Sequence, residues 1–396
     1  MLLYTFVAVI TILLACRVRT AEKNEYDRVY CYSGRGRIAP SARVYYGFSK
    51  RRDVVNFIMI AAIFTILTGL AALRIEVGND YGAYVVTSHE IFQRGYVVTE
   101  PGFNFVVRLL YTLSGKEDYI LMFAVFGAAI VAIFLKVLWD QSDSFAISFF
   151  IFMMMGFYYR SFNTVRYYFV LAIATFALRY LMDIDLQGMI KFFSLIIFAS
   201  LFHKSVLIVI PMYLIARIEW KRWALFALAA LGVIAALLHE QIMRIALRLY
   251  PTYNDTVYVE QSHTIIENAA PVLGCIFVIA LCIICYREAV ADRRDMRMYL
   301  NMNIMAVATY LSFYWMPLVT RFAYYLTTSQ ILLFTGIICS VKDRRKKKLI
   351  TLAVIVFCIV NFIYFLMQAD RVGIRVLPYK SWLFYSRRWL NQTDTN

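Results

Sequence analysis

Residues 73–105 read LRIEVGNDYGAYVVTSHEIFQRGYVVTEPGFNF, which gathers Arg74, Glu76, Asp80, His89 and Glu100 in one short segment. Further along come Arg160 and Arg166 around SFNTV, then His203 and Lys204, then Arg321. A carboxylate or an imidazole can take a proton from a hydroxyl, and a guanidinium offers a planar fork of donors that fits phosphate oxygens. Such a set suits transfer of a group from a phosphate leaving group to a hydroxyl. Asp80, Glu100 and His203 are the candidate bases, and the residues alone do not choose among them. Arg74, Arg160, Arg166 and Arg321 are the candidate diphosphate ligands. Tyr81, Tyr84, Tyr96 and Tyr324 offer faces for sugar rings.

Each residue also has a plain structural explanation. Arg74 can snorkel to a membrane surface, and Arg160 and Arg166 can be interfacial anchors. Tyr324 and Tyr325 suit an interfacial aromatic belt, His203 a structural hydrogen bond, and Asp80 and Glu100 a solvated loop. Their common placement argues for more.

The elements that must position them are membrane helices. Of 396 residues 62% are hydrophobic and 17% charged, and the mean hydropathy is +0.64. That is too apolar for a soluble domain. Apolar runs predict an all-α polytopic membrane protein with about twelve spans. They fall at 1–16, 54–73, 119–139, 145–159, 167–182, 189–202, 204–216, 223–239, 271–286, 299–316, 321–340 and 348–367. The first is expected to be a span, not a cleaved signal. Residues 103–114 are apolar but short, and suit a half-helix or a surface-lying segment. The chain is expected to form a single integral membrane domain over 1–396.

The net charge of +16 does not point to nucleic acid, because the basic residues sit in short segments between apolar runs. Segments 17–53, 217–222, 287–298 and 342–348 share one side and should be cytoplasmic. The loops 74–118 and 240–270 then lie outside. So does the tail 368–396, whose own basic charge is discordant. Within 240–270, residues 240–249 should form an amphipathic helix on the membrane surface, and the remainder either a lid over the sugar site or a plain connecting loop. The seven cysteines show no metal spacing, and CIIC at Cys282 and Cys285 lies inside an apolar run. No internal repeat is visible, which disfavours transporters built from two similar halves.

In this topology every candidate lies at the outer edge, where the positive-inside rule should deplete arginine. An anionic ligand explains that excess. A lipid-linked diphosphate would enter from the bilayer with its head at this edge, and an attached sugar would lie in the 74–118 loop. Glycosyl transfer, without metal or cofactor, is the expected chemistry.

The stretch LRIEVGNDYGAYVVTSHEIFQ…EPGFNFVVRLL resembles the EpsG family of polysaccharide-biosynthesis membrane proteins. The resemblance continues through FNTVRYYFVLAIATFALRYL, SLIIFASLFHKSVLIVIPMYL, TRFAYYL and RVLPYKSW. It implies a GT-C-like helical architecture and Wzy-like polymerisation of polyprenyl-diphosphate-linked oligosaccharides outside the bacterial cytoplasmic membrane. Capsule, exopolysaccharide or O-antigen would be the product. The implied partners are glycan donor, glycan acceptor, bilayer and a chain-length regulator. Arg74, Asp80, Arg166, His203 and Arg321 match the family's polar positions. A lipid-linked sugar flippase and a polysaccharide acyltransferase are the competing classes. Clean apolar centres of several spans weigh against the first, and histidines placed at the outer side weigh against the second.

Overall fold

The computed structural model describes residues 1–19, 51–93, 95, 97–182, 185–249, 268–316, 319–371 and 374–384. Most of the 17–53 loop, the lid expected within 240–270, Tyr96 and the tail beyond 384 lie outside the described residues. Among the described residues the structure is helical, and one isolated antiparallel bridge joins Arg74 to Ser381.

The chain divides into two compact units. The first comprises Met1–Phe176, Ser194–Val206 and Thr351–Asn396, and the second Ala177–Phe193 and Leu207–Ile350. The helices of the first unit are α1 (Leu2–Ala15), α2 (Arg51–Ala72), α3 (Tyr81–Phe92), α4 (Pro101–Ser114), α5 (Tyr119–Gln141), α6 (Phe145–Met154) and α7 (Val165–Ala177). It also holds the one-turn helix Phe157–Arg160, the end of α8 (Leu186–Ser200) and most of α16, defined below. Helix α2 packs on α1 and α5. The second unit holds the start of α8, then α9 (Val209–Arg217), α10 (Arg222–Leu237), α11 (His239–Leu249), α12 (Ala269–Ile284), α13 (Arg294–Ser312), α14 (Val319–Thr327) and α15 (Gln330–Ser340). Helix α16 (Arg344–Gln368) begins there and continues into the first unit.

Helix α13 is the centre of the second unit, packing on α9, α10, α12 and α14. Apolar side chains supply little drive for helices to associate within lipid, so polar contacts add definition. Asn301 donates from Nδ2 to the Ala216 carbonyl at 2.9 Å. Gln330 donates to Asn303 Oδ1 at 2.8 Å, and Asn303 donates to Ser329 Oγ at 3.1 Å.

Helices occupy each of the predicted apolar segments, yet few are long enough to cross a bilayer. Helices α2, α5 and α16, and the stretch Val319–Ser340 formed by α14 and α15, have the required length and composition. The pair α10 and α11, bent by 78°, makes a fifth if it counts as one span. By contrast α1, α6, α8 and α12 have 14, 10, 15 and 16 residues. At a rise of about 1.5 Å per residue they fall short of a hydrocarbon core about 30 Å thick. The helix lengths therefore do not confirm twelve spans. Hydropathy marks an apolar run but does not show where the helix within it breaks, as at Gly156 after α6.

The segment 103–114 is part of α4, with apolar side chains on two sides. Phe103, Val107 and Tyr111 are buried, whereas Phe105, Leu109 and Leu113 are exposed. The expected amphipathic helix after residue 239 is α11.

Candidate functional site

The polar segment behind α2 is held by a second stretch of chain. Ile75 donates its backbone N–H to Lys380, Gly78 to Arg375 and Asn79 to Ile374, at 2.9, 2.8 and 3.2 Å. Trp382 donates back to Leu73 at 3.1 Å, and the Lys380 ammonium donates to Glu76 at 2.5 Å. Gly78 has φ +103°, in the left-handed region, and a Cβ there would strike the Phe162 carbonyl. The chain then turns so that the Asp80 N–H donates to Asn163 Oδ1 at 3.3 Å, and Asp80 is the residue from which α3 starts. The GND and FNTVR words are thus locked face to face.

The EPGF word has an equally local cause. Glu100 is extended, and Pro101, with φ already near the helical value, opens α4. Gly102 donates its N–H to the Leu201 carbonyl at 2.8 Å, and a Cβ would lie at that same 2.8 Å from it. Only glycine lets the start of α4 approach the end of α8 this closely. That approach delivers Glu100 to His203 and Lys204.

Glu100 is the centre of the cluster. Its Oε2 accepts a short hydrogen bond from Arg166 Nη1. Its Oε1 accepts the Lys204 backbone N–H at 3.2 Å, and His203 Nδ1 lies 3.6 Å from the same oxygen. The side chains of Glu100, His203 and Arg166 are 15%, 21% and 24% exposed, so water reaches all three without flooding them. The Arg166 guanidinium lies 5.2 Å from the Phe103 ring centre and 5.8 Å from that of Tyr84. Tyr84 also accepts the Arg166 backbone N–H at 3.1 Å. Burial raises the Tyr84 phenol above its ordinary pKa despite the opposing pull of Arg166, so it stays protonated. The imidazole of His203 meets the Tyr167 ring edge-on at 6.0 Å. Chemically this is a carboxylate that pairs with a cation through one oxygen and stands beside an imidazole with the other.

The remaining candidates are placed differently. Arg74 is 2% exposed and lies between Phe123 and Phe162, 4.6 and 5.0 Å from their centres. It donates to the Ala71 carbonyl at 2.5 Å, and burial pushes its pKa down to about 10. A guanidinium so enclosed is a core element and no open ligand. Tyr81 is likewise buried, stacked on Phe123 at 4.7 Å, so both faces of a sugar platform are not available there. Asp80 is half-buried, and Arg160 lies 5.1 Å from the Phe365 ring centre. Arg321 and Tyr324 stand on α14 in the second unit. Among the described residues no three His, Cys, Asp or Glu side chains gather as metal ligands.

Composition and periodicity missed three contributors: Phe103 beneath Arg166, Asn163 beneath Asp80, and the 374–382 strap. The glycines at 78 and 102 were the available signal, since each marks a place where backbone must come close.

Long apolar helices with a polar cluster gathered at helix ends define a multi-pass membrane protein. The model of the EpsG family matches residues 57–381, and the chain belongs to that family of polysaccharide-biosynthesis membrane proteins. No curated protein and no solved structure matches it.

Proposed function

We propose that the protein polymerises polyprenyl-diphosphate-linked oligosaccharide units on the outer face of the bacterial cytoplasmic membrane. The observation that carries this reading is the shared carboxylate of Glu100, with Arg166 on one oxygen and His203 beside the other. In the proposed step an acceptor hydroxyl attacks the anomeric carbon of the donor sugar as the bond from that carbon to the diphosphate oxygen breaks. Arg166 stabilises the departing diphosphate, because its fork of donors meets the negative charge that develops there. His203 takes the hydroxyl proton, and the Glu100 carboxylate steadies the resulting imidazolium. Glu100 is the poorer base of the two, since both of its oxygens already accept hydrogen bonds. Asp80 is the second candidate base. Capsule, exopolysaccharide or O-antigen is the product class, and a chain-length regulator the natural partner.

The test is polymer formation by purified protein from lipid-linked repeat units. His203→Gln should lower turnover about 10²–10⁴-fold, the usual effect of removing a general base. If His203→Gln and Asp80→Asn both turn over like wild type, the reading fails.

A further inference from the structure

Residues 342–348 read KDRRKKK and lead straight into the membrane helix α16, which begins at Arg344. The acid of this segment, Asp343, accepts the backbone N–H groups of Arg345 and Lys346 at 3.0 and 3.4 Å. Lys346 turns towards the protein, where its ammonium donates to Glu288 at 2.8 Å and to the Ile284 carbonyl at 3.2 Å. The other cations at the start of the helix, Arg344, Arg345, Lys347 and Lys348, are exposed. Among the described residues none of these four has an ion pair. At about 3.6 residues per turn they spread over an arc of about 160°, with Lys346 on the opposite side. They do nothing for the helix itself, because positive charge in a first turn opposes its dipole.

The charge continues as a stripe. Arg345, Lys348, Leu352, Val356 and Ile359 follow one another at three- and four-residue spacing, hence on one face, and all five are exposed. From Lys348 to Ile359 the helix rises about 17 Å, close to the depth of one leaflet of a hydrocarbon core about 30 Å thick. Orientation by basic residues requires only that they lie on this side of the membrane. It does not require them to head an exposed apolar stripe and to leave the inward position to a lysine paired with glutamate. We propose that this face of α16 is a binding surface for an anionic phospholipid of the bilayer. The phosphate sits against Arg345 and Lys348, with Arg344 and Lys347 at its flanks, and the acyl chains lie along Leu352, Val356 and Ile359. Charge complementarity selects the head group. The apolar continuation selects a lipid over a free phosphate or an acidic protein segment. Polymerisation is not needed for this surface to exist.

The full chain in a neutral detergent, titrated with dioleoylphosphatidylglycerol or dioleoylphosphatidylcholine, tests this, with bound lipid counted from the mass of the intact protein. Wild type should hold phosphatidylglycerol at least about tenfold more tightly, and added salt should erode that preference. Changing Arg344, Arg345, Lys347 and Lys348 together to Gln should remove most of it. Arg345→Gln with Lys348→Gln is the milder variant, for use where the fourfold one does not fold, and should cost at least about fivefold. Arg344→Lys with Arg345→Lys should bind as wild type does, since the surface reads charge. Arg108→Gln with Lys116→Gln removes two exposed cations elsewhere and should change nothing. Equal affinity of wild type for the two lipids overturns the proposal. So does a loss from the Arg108 and Lys116 pair as deep as that from Arg345 and Lys348. Glycerophosphoglycerol, the head group without chains, binding as tightly as the lipid would reduce the surface to an anion site and end the lipid reading. Displacement of the lipid by poly-glutamate at equal affinity would end it in favour of an acidic protein partner.

Discussion

The hydroxyl of Tyr84 accepts the backbone N–H of Arg166 at 3.1 Å, while its ring lies 5.8 Å from the guanidinium of the same residue. One side chain therefore fixes both where α7 begins and where its charge points. Tyr84→Phe keeps the ring and leaves a backbone donor unpaired, at a cost of about 1–3 kcal/mol. The variant should melt earlier yet lose less than about tenfold in polymer per folded molecule, since Arg166 keeps Glu100. A loss as deep as that of Arg166→Ala would give the hydroxyl a part in the chemistry.

Glu100→Gln retains shape and one acceptor oxygen but removes the charge that Arg166 and His203 share. Turnover should drop about 10²–10³-fold, comparable to losing a preorganised electrostatic contact. Protein levels should hold, because the Lys204 N–H still finds an acceptor. Near-normal turnover would reduce Glu100 to a structural tether.

Lysine replacements separate the arginines. Arg166→Lys loses the two-pronged contact, so polymer should fall while folded protein persists. Arg74→Lys puts a compact ammonium between two rings shaped around a planar cation. Desolvated cation–π contacts are worth about 2 kcal/mol, so here the amount of folded protein should fall. Activity per folded molecule should be retained. Arg321→Lys belongs in the same assay, and wild-type polymer from it would make that residue an interfacial anchor.

Orientation follows from the basic segments. In a cysteine-free background, an impermeant maleimide applied from outside should label Phe92→Cys and not Lys347→Cys. Both sites are exposed, so access alone does not decide the result. The opposite pattern would place the Glu100 cluster in the cytoplasm and end the outer-face polymerase.

Helix positions were legible from apolar runs because every long run became helix. Their role as spans was not, since length in the membrane depends on breaks that composition does not show. Among the site residues, Arg166, Glu100 and His203 stood out as ionisable groups at helix ends, and the structure brings them together. Arg74 stood out for the same reason and went the other way, into an aromatic core. Nothing in its own type or spacing separates those fates; Phe123 and Phe162, far along the chain, decide between them. The strap that clasps Glu76 was visible only as the word RVLPYKSW, because pairing between distant segments leaves no periodic trace.

That clasp has a consequence in time. Lys380 lies 304 residues beyond Glu76. At a synthesis rate of about 5–20 residues per second, the loop that carries Asp80 waits about 15–60 s for its partner strand to emerge. Until then the donors of Ile75, Gly78 and Asn79 have no strap to meet. A ribosome stalled between His203 and the strap would leave Glu100, Arg166 and His203 all made, beside a loop whose turn nothing yet holds shut.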